Sequence, residues 1–197
     1  SLVATEDLPS SMLASTIVDF SGLADMSLTD LQKALTGKNV SHSVSINNNT
    51  EVVSGSSTVK DLETLLQINY LSFTAPRRDE EAYQTLMSVL NSQLANRDKN
   101  PKAAFSDSIQ MMANDHSSRI VLQDLAWLEK VNLDKALEVY KARFANPADF
   151  VFTFVGNVDP ADKVFQKMVC TWLGGLKTSK KKESVRDNGV RAPEGIN

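Results

Sequence analysis

The run Asp149 to Pro160, DFVFTFVGNVDP, constrains this chain more than any other stretch. Phe150, Phe152 and Phe154 alternate with Val151, Thr153 and Val155, so an extended segment here is apolar on both sides. Successive side chains of a strand point to opposite faces, and a strand apolar on both is a central one, covered on at least one side by helices. The spacing therefore predicts a central strand over 150–155. Gly156 turns the chain, Asp159 caps, and Pro160 enters the first turn of a helix from Ala161 to Leu173 that Gly174 and Gly175 end.

A central strand needs neighbours, and one hairpin is legible. Val40, His42, Val44 and Ile46 alternate with Ser41, Ser43 and Ser45, the period-two pattern of a half-buried strand. Asn47 to Asn49 turn the chain, since asparagine tolerates the left-handed region, and Thr50 to Ser54 pair back. Most of what remains has helical spacing. Met12 to Gly22 places Leu13, Ile17 and Phe20 on one face, with Ser10 or Ser11 as the cap. A second helix has Ser27 or Thr29 to cap it, Leu28, Leu31 and Leu35 inward, and Gly37 as the stop. A third is capped by Ser57, carries Asp61 near its positive end, buries Leu62, Leu65, Leu66, Asn69 and Phe73, and ends at Pro76. Asp79 to about Arg97 is a fourth, with Tyr83, Leu86, Met87, Leu90 and Leu94 inward. Pro101 opens another through roughly Met112. A loop with His116 and Arg119 leads to a short helix and then a longer one from Asn132.

This order is α+β: helices packed on one face of a mostly antiparallel sheet. Residues 1–10 read as a lead-in linker, 11–176 as a single domain, and 177–197 as a polar linker with an edge strand near Val185 to Val190. Ser1 is not a natural start, and the opening SLVATEDLPSS has acids but no basic segment, so an excised segment is expected rather than a signal peptide.

The totals exclude several functions. A net charge of −3 and a pI near 5.4 argue against a nucleic-acid binder, which needs a concentrated basic surface. No run approaches the ~18 apolar residues of a membrane span. The single cysteine, Cys170, has no internal partner and reads as a small buried residue beside Val169 and Trp172.

Candidate chemistry is sparse. His42 and His116 lie far apart with no His, Cys or acid at ligand spacing, whereas zinc takes three or four such ligands. Cys170 has no nearby histidine, and no serine sits in a Gly-x-Ser-x-Gly elbow. GNVDP follows a strand as a phosphate loop would, but lacks further glycines and a Lys-Ser/Thr pair, so it reads as a plain turn. Arg77 and Arg78, in TAPRRDEEAY, offer planar forks to a peptide carboxylate or a partner's acid, or pair with Asp79, Glu80 or Glu81. With Arg119 they are the peptide-binding candidates, and in an unrelated α+β domain they would serve an anionic ligand. Lys180 to Lys182 read as a solvated charge run.

The segments LTGKNVSHSVSINNNTEVVSGSSTVKDLETLLQINYLSFTAPRRDEEAY and YKARFANPADFVFTFVGNVDPADK, in this order, resemble the pitrilysin/insulinase family of zinc metallopeptidases, in particular its long bacterial members. The resemblance runs from about Ser11 to Pro193 and implies the metallopeptidase/processing-peptidase-like fold. The family's active site is His-x-x-Glu-His on a helix running into Phe-x-Gly, with a glutamate on a later helix completing the zinc shell. Here the anchor is Phe20-Ser21-Gly22, and the motif positions hold Leu13, Ala14, Ser15, Thr16 and Ile17. The later helix has no acid between Ala82 and Arg97.

The resemblance thus implies a non-catalytic domain of the C-terminal half of a zinc-dependent metalloendopeptidase. Such a domain has no catalytic or metal residue of its own, with zinc held elsewhere in the full-length enzyme. Its partners would be sister domains of the same polypeptide, including a zinc-bearing N-terminal one, and peptide substrate in the chamber they enclose. A periplasmic setting is implied by the same relatives. The alternative is a catalytically dead family member acting as a scaffold.

Overall fold

A computed structural model describes residues 3–97, 100–179 and 184–195. Its architecture is α+β, with helices against one antiparallel hairpin. The hairpin joins β1 (Val40–Ile46) to β2 (Glu51–Ser57), with Val44 opposite Val53 and Ser43 opposite Ser54. Asn47 closes the turn, its N–H donating to the Thr50 carbonyl at 2.8 Å. The alternation sorts the faces as the sequence implies. Val44 is buried, whereas Ser41 pairs with Ser56 and Ser43 with Ser54 across the exposed side.

The opening helix α1 (Leu8–Ser21) starts earlier than Met12, because Pro9 takes a first-turn position where no N–H is needed. Ser10 is therefore not a cap. It is buried, and its Oγ accepts the Asn132 N–H at 2.9 Å. The buried face is Ala14, Ile17, Val18 and Ser21, while Phe20 is exposed and Leu13 only half-buried. Gly22 ends the helix at φ +86°, and a Cβ there would lie 2.2 Å from the Met26 carbonyl oxygen. Gly22→Ala is accordingly expected to cost about 2–3 kcal/mol, read as a lower urea midpoint. An unchanged midpoint would mean that the Leu23–Met26 turn is free to relax.

Helix α2 (Leu28–Ala34) is capped by Ser27, whose Oγ accepts the Asp30 N–H. Ser57 belongs to β2 rather than capping the next helix. A 3₁₀ turn at Val59–Asp61 leads into α3 (Leu62–Thr74), and Asp61 holds it to the hairpin by accepting from the Thr58 hydroxyl and the Asn39 N–H. Helices α4 (Glu80–Arg97), α5 (Pro101–Ala113), α6 (Leu125–Leu128) and α7 (Leu133–Arg143) follow. Asp124 caps α6 and Asn132 caps α7.

The main core joins α1, α4, β1, α6 and α7, with Ile17, Tyr140 and Phe144 at its centre. A second cluster packs Leu62, Leu65 and Leu66 of α3 against α8 (Lys163–Trp172) and its exit, Leu173 and Leu176. Helix α8 begins later than expected. Asp162 is its cap, accepting the Val164 N–H, while the Asp159 carboxylate accepts from Ala161 in the turn before. Its inward edge is Phe165, Met168, Val169 and Trp172, which leaves Cys170 exposed rather than buried.

The largest departure concerns 150–155. After a 3₁₀ turn at Pro147–Asp149, Phe150 is extended, but among the described residues 150–155 join no ladder. Their phenylalanines pack on the helices all the same. Phe73 lies 4.9 Å from Phe150 and Phe165 lies 5.3 Å from Phe154, centroid to centroid. The other face is bare, with Val151 91% and Val155 94% exposed. Residues 184–195 contain no strand either, so the edge strand expected over Val185–Val190 is absent. Lys180 to Lys182 lie outside the described residues.

Candidate functional site

The positions that the family resemblance matches to a zinc motif are on α1. Ile17 is fully buried, as is Ala14; Ser15 is buried, and Leu13 and Thr16 are half-buried. A metal needs nitrogen, sulfur or oxygen donors, and the hydrocarbon of Leu13 and Ile17 has none. These positions also do not share one accessible face, since Ile17 lies inside the main core. Helix α4, which packs on α1, carries no carboxylate between Ala82 and Arg97. The residues present do not fit a zinc ion. Among the described residues, no group of three or more His, Cys, Asp or Glu side chains is placed to hold a metal.

The three candidate arginines are each engaged. Arg77 grips Asp79 through Nε and Nη2, at 3.3 and 2.9 Å, and donates through Nη1 to the Asp25 carbonyl. Asp79 in turn caps α4 by accepting the Ala82 N–H, and with that bond and the Arg77 fork its carboxyl sits below the usual range. Arg78 donates to Asp134 at 2.7 Å and to Glu80 at 3.1 Å. Arg119 donates to the Val3 carbonyl at 3.0 Å, tying the loop before α6 to the lead-in. Arg77 and Arg78 thus stand together at the α4 entrance, while Arg119 is held by another part of the chain. Arg78 is half-exposed, and an exposed pair of this kind contributes little to stability.

A buried polar group that sequence spacing does not disclose lies where α1, β1, α3 and α7 meet. The Ser72 hydroxyl donates to the Ile68 carbonyl at 3.0 Å and sits 3.2 Å from His42 Nε2, which leaves the His42 N–H to donate to it. Tyr140 donates its hydroxyl to the Ser72 carbonyl at 3.1 Å. Loss of water pushes His42 down to about 4 and, more weakly opposed by the Val44 backbone, pushes Asp19 up to about 6. Burial, with the Asp19 charge added, also raises the Tyr140 phenol. A serine flanked by Leu71 and Phe73 in an otherwise buried helix was the available signal. Ser72 is wholly buried.

The group has a pH consequence with two opposed parts. His42 stays neutral in the fold, so its contribution is complete above its unfolded value near 6.5 and is lost as pH falls toward 4. Asp19 holds its proton more tightly folded than unfolded, so its contribution is present at low pH and lost as pH rises through about 6. The two changes overlap, and single variants separate them. The stability advantage of wild type over His42→Asn is expected to shrink by on the order of 2 kcal/mol between pH 6.5 and 4. Urea titrations at each pH measure it, and a constant difference would mean that His42 is hydrated in the fold.

On the opposite side of the hairpin, a cavity of about 620 Å³ lies between β2 and the 150–156 segment, floored by α3. Glu51 and Arg143 meet in its wall at 2.5 Å.

With this geometry in view, the likeness to known proteins is confined to structure. No family model matches the chain, and no curated protein does. It superposes on the periplasmic protease PqqL from Escherichia coli with a TM-score of 0.79 at 20% identity, over 96% of this chain and 21% of that one. A mutant of the ferredoxin protease FusC, in complex with Arabidopsis ferredoxin, gives 0.70 at 17% identity over 92% and 19%. A protease from Helicobacter pylori gives 0.69 at 14% over 98% and 46%. The chain shares its fold with a part of each of these proteins. It spans from about a fifth to under half the length of these proteins.

Proposed function

We propose that this chain is a non-catalytic domain of a zinc-dependent metalloendopeptidase of the pitrilysin/insulinase type. The domain, expected over residues 11–176, also takes in the first turn of α1 from Leu8, which the lead-in reading of 1–10 left out, and 177–197 lead toward a following one. It supplies chamber wall and interdomain contacts around a peptide, while zinc and its activated water belong to another domain of the same polypeptide. The observation that supports this reading is the fully buried hydrocarbon of Ile17, a position that the family resemblance matches to a zinc ligand, in a chain whose fold is shared with proteases. The E. coli neighbour is described as periplasmic, which supports the same compartment here.

The test compares peptide cleavage by the 197-residue chain and by the full polypeptide its gene encodes. Chelator-sensitive cleavage is expected from the full polypeptide only, together with a His-x-x-Glu-His motif outside this segment. Chelator-sensitive cleavage by the segment alone would overturn the reading. A full polypeptide that is inert and lacks the motif would also overturn it, in favour of a scaffold.

A further inference from the structure

Helix α5 turns its apolar side to solvent. Asn100 caps its start by accepting the Lys102 N–H, and Arg97 at the end of α4 clamps Asp107 through both terminal nitrogens, at 2.9 and 2.5 Å. That ion pair fixes how the helix is rotated. Ala103, Asp107 and Met111, with Asn114 just beyond the helix, recur at helical spacing and are its half-covered side. Phe105, Ile109 and Met112 recur at the same spacing on the opposite side and are 69%, 50% and 54% exposed. No residue of α5 is buried, and among the described residues none belongs to either core cluster. A surface helix ordinarily packs its apolar stripe on the core and leaves its polar face in water. Here a small and polar side meets the domain, and three large hydrocarbon side chains meet solvent. A 13-residue helix that buries nothing is also marginal in water, since isolated helices shorter than about 12–15 residues barely hold.

We propose that the stripe of Phe105, Ile109 and Met112 is a docking surface for an apolar face of the same polypeptide, lying outside these 197 residues. Area favours that occupant over a second copy of the chain. Three side chains make a patch on the order of a few hundred Å², against about 800 Å² on each partner in a standing complex of separate proteins. A tethered face needs less, because it meets the stripe at an effective concentration of about millimolar. Charge agrees. The only charged side chains on α5 are Lys102 and Asp107, and Asp107 is held by Arg97, so little is present to steer a diffusing partner. A bound peptide fits less well, because a helix face offers no free backbone N–H or C=O and an extended peptide lying on it leaves its own backbone unpaired. The solved neighbours also extend far beyond the part shared with this chain, which is 19–46% of their length. The inference names the surface behind the interdomain contacts of the proposed function, and rests with it on a longer polypeptide, but not on that polypeptide being a protease.

Photo-crosslinking in the full polypeptide its gene encodes tests it, with p-benzoylphenylalanine placed at position 105, where an exposed aromatic ring already stands. The expected main product is a single chain joined from position 105 to a residue beyond the 197. A link between two chains would overturn the proposal in favour of a second copy. A link confined to the 197 residues, a link formed only to an added peptide, or no link at all would overturn it as well. So would a reading frame that ends with these residues. Hydrogen exchange gives a second measurement. Phe105→Ser combined with Ile109→Ser in the full polypeptide is expected to speed exchange over 101–113 at least tenfold and to leave 133–143, in the main core, unchanged. Equally fast exchange over 101–113 in wild type and variant would show the stripe uncovered and overturn the proposal; a variant that also loses protection over 133–143 has unfolded, and the cross-link then decides. Chelator-sensitive cleavage by the unsubstituted polypeptide reports on the proposed function separately, since an inert polypeptide that gives the expected cross-link keeps the docking surface and loses the protease reading.

Discussion

Ile17→His is expected to cost about 4 kcal/mol of folding stability and to create no metal site. Ile17 is wholly buried in the core that α1 shares with α7. Removing its side chain forfeits about 1.5–3 kcal/mol of burial, and the imidazole that replaces it brings a polar group with nothing arranged to receive it, at about 1–3 kcal/mol more. Single domains have only about 5–15 kcal/mol in hand, so a loss of this size moves the urea midpoint far down. Leu13→His, at a half-buried position, is expected to cost about 1 kcal/mol. Adding Thr16→Glu to both completes a His-x-x-Glu-His string in sequence, yet zinc is expected to restore none of the lost stability. A midpoint that recovers on adding zinc would show that α1 can turn its motif face outward, and the account of this helix as packing would fail.

Tyr140→Ala is the second large effect, at about 4 kcal/mol. Tyr140 has no exposed surface, stacks on Phe144 with centroids 4.6 Å apart, and donates to the Ser72 carbonyl. Truncating a buried aromatic side chain costs about 3–5 kcal/mol through lost transfer energy and the cavity left behind. Tyr140→Phe keeps the ring and removes only the hydroxyl, so about 1 kcal/mol is expected. Urea midpoints for the pair separate packing from hydrogen bonding. Equal losses would place the energy in the Ser72 contact and contradict the packing reading.

Much of the local structure was legible because it depends on neighbours in sequence. Ser27 and Asn132 cap their helices, and Gly37 follows α2 in the left-handed region. The Asn47–Asn49 turn set the hairpin register, so that serines pair on one face and Val44 points inward. The helix face was less legible. Helical spacing put Phe20 inward, but α1 packs through Ala14, Val18 and Ser21, because the nearby α7 leaves room for small residues. Cys170 went the other way, since Val169 and Trp172 take the contact with α3 and leave it outside. The lack of donor atoms at Leu13 and Ile17 was fully legible, because donor atoms are a property of residue identity.

What the sequence determined by itself is therefore the set of elements and the absence of ligating atoms at Leu13 and Ile17, both carried by residue type and short-range geometry. Only the tertiary structure decided that Ser10, Ser21 and Ser72 are interior, that His42 and Tyr140 converge on one serine, and that 150–155 joins no ladder among the described residues. Burial and strand pairing depend on what arrives from distant positions. An alternating apolar run states that it needs covering, and it does not state from where.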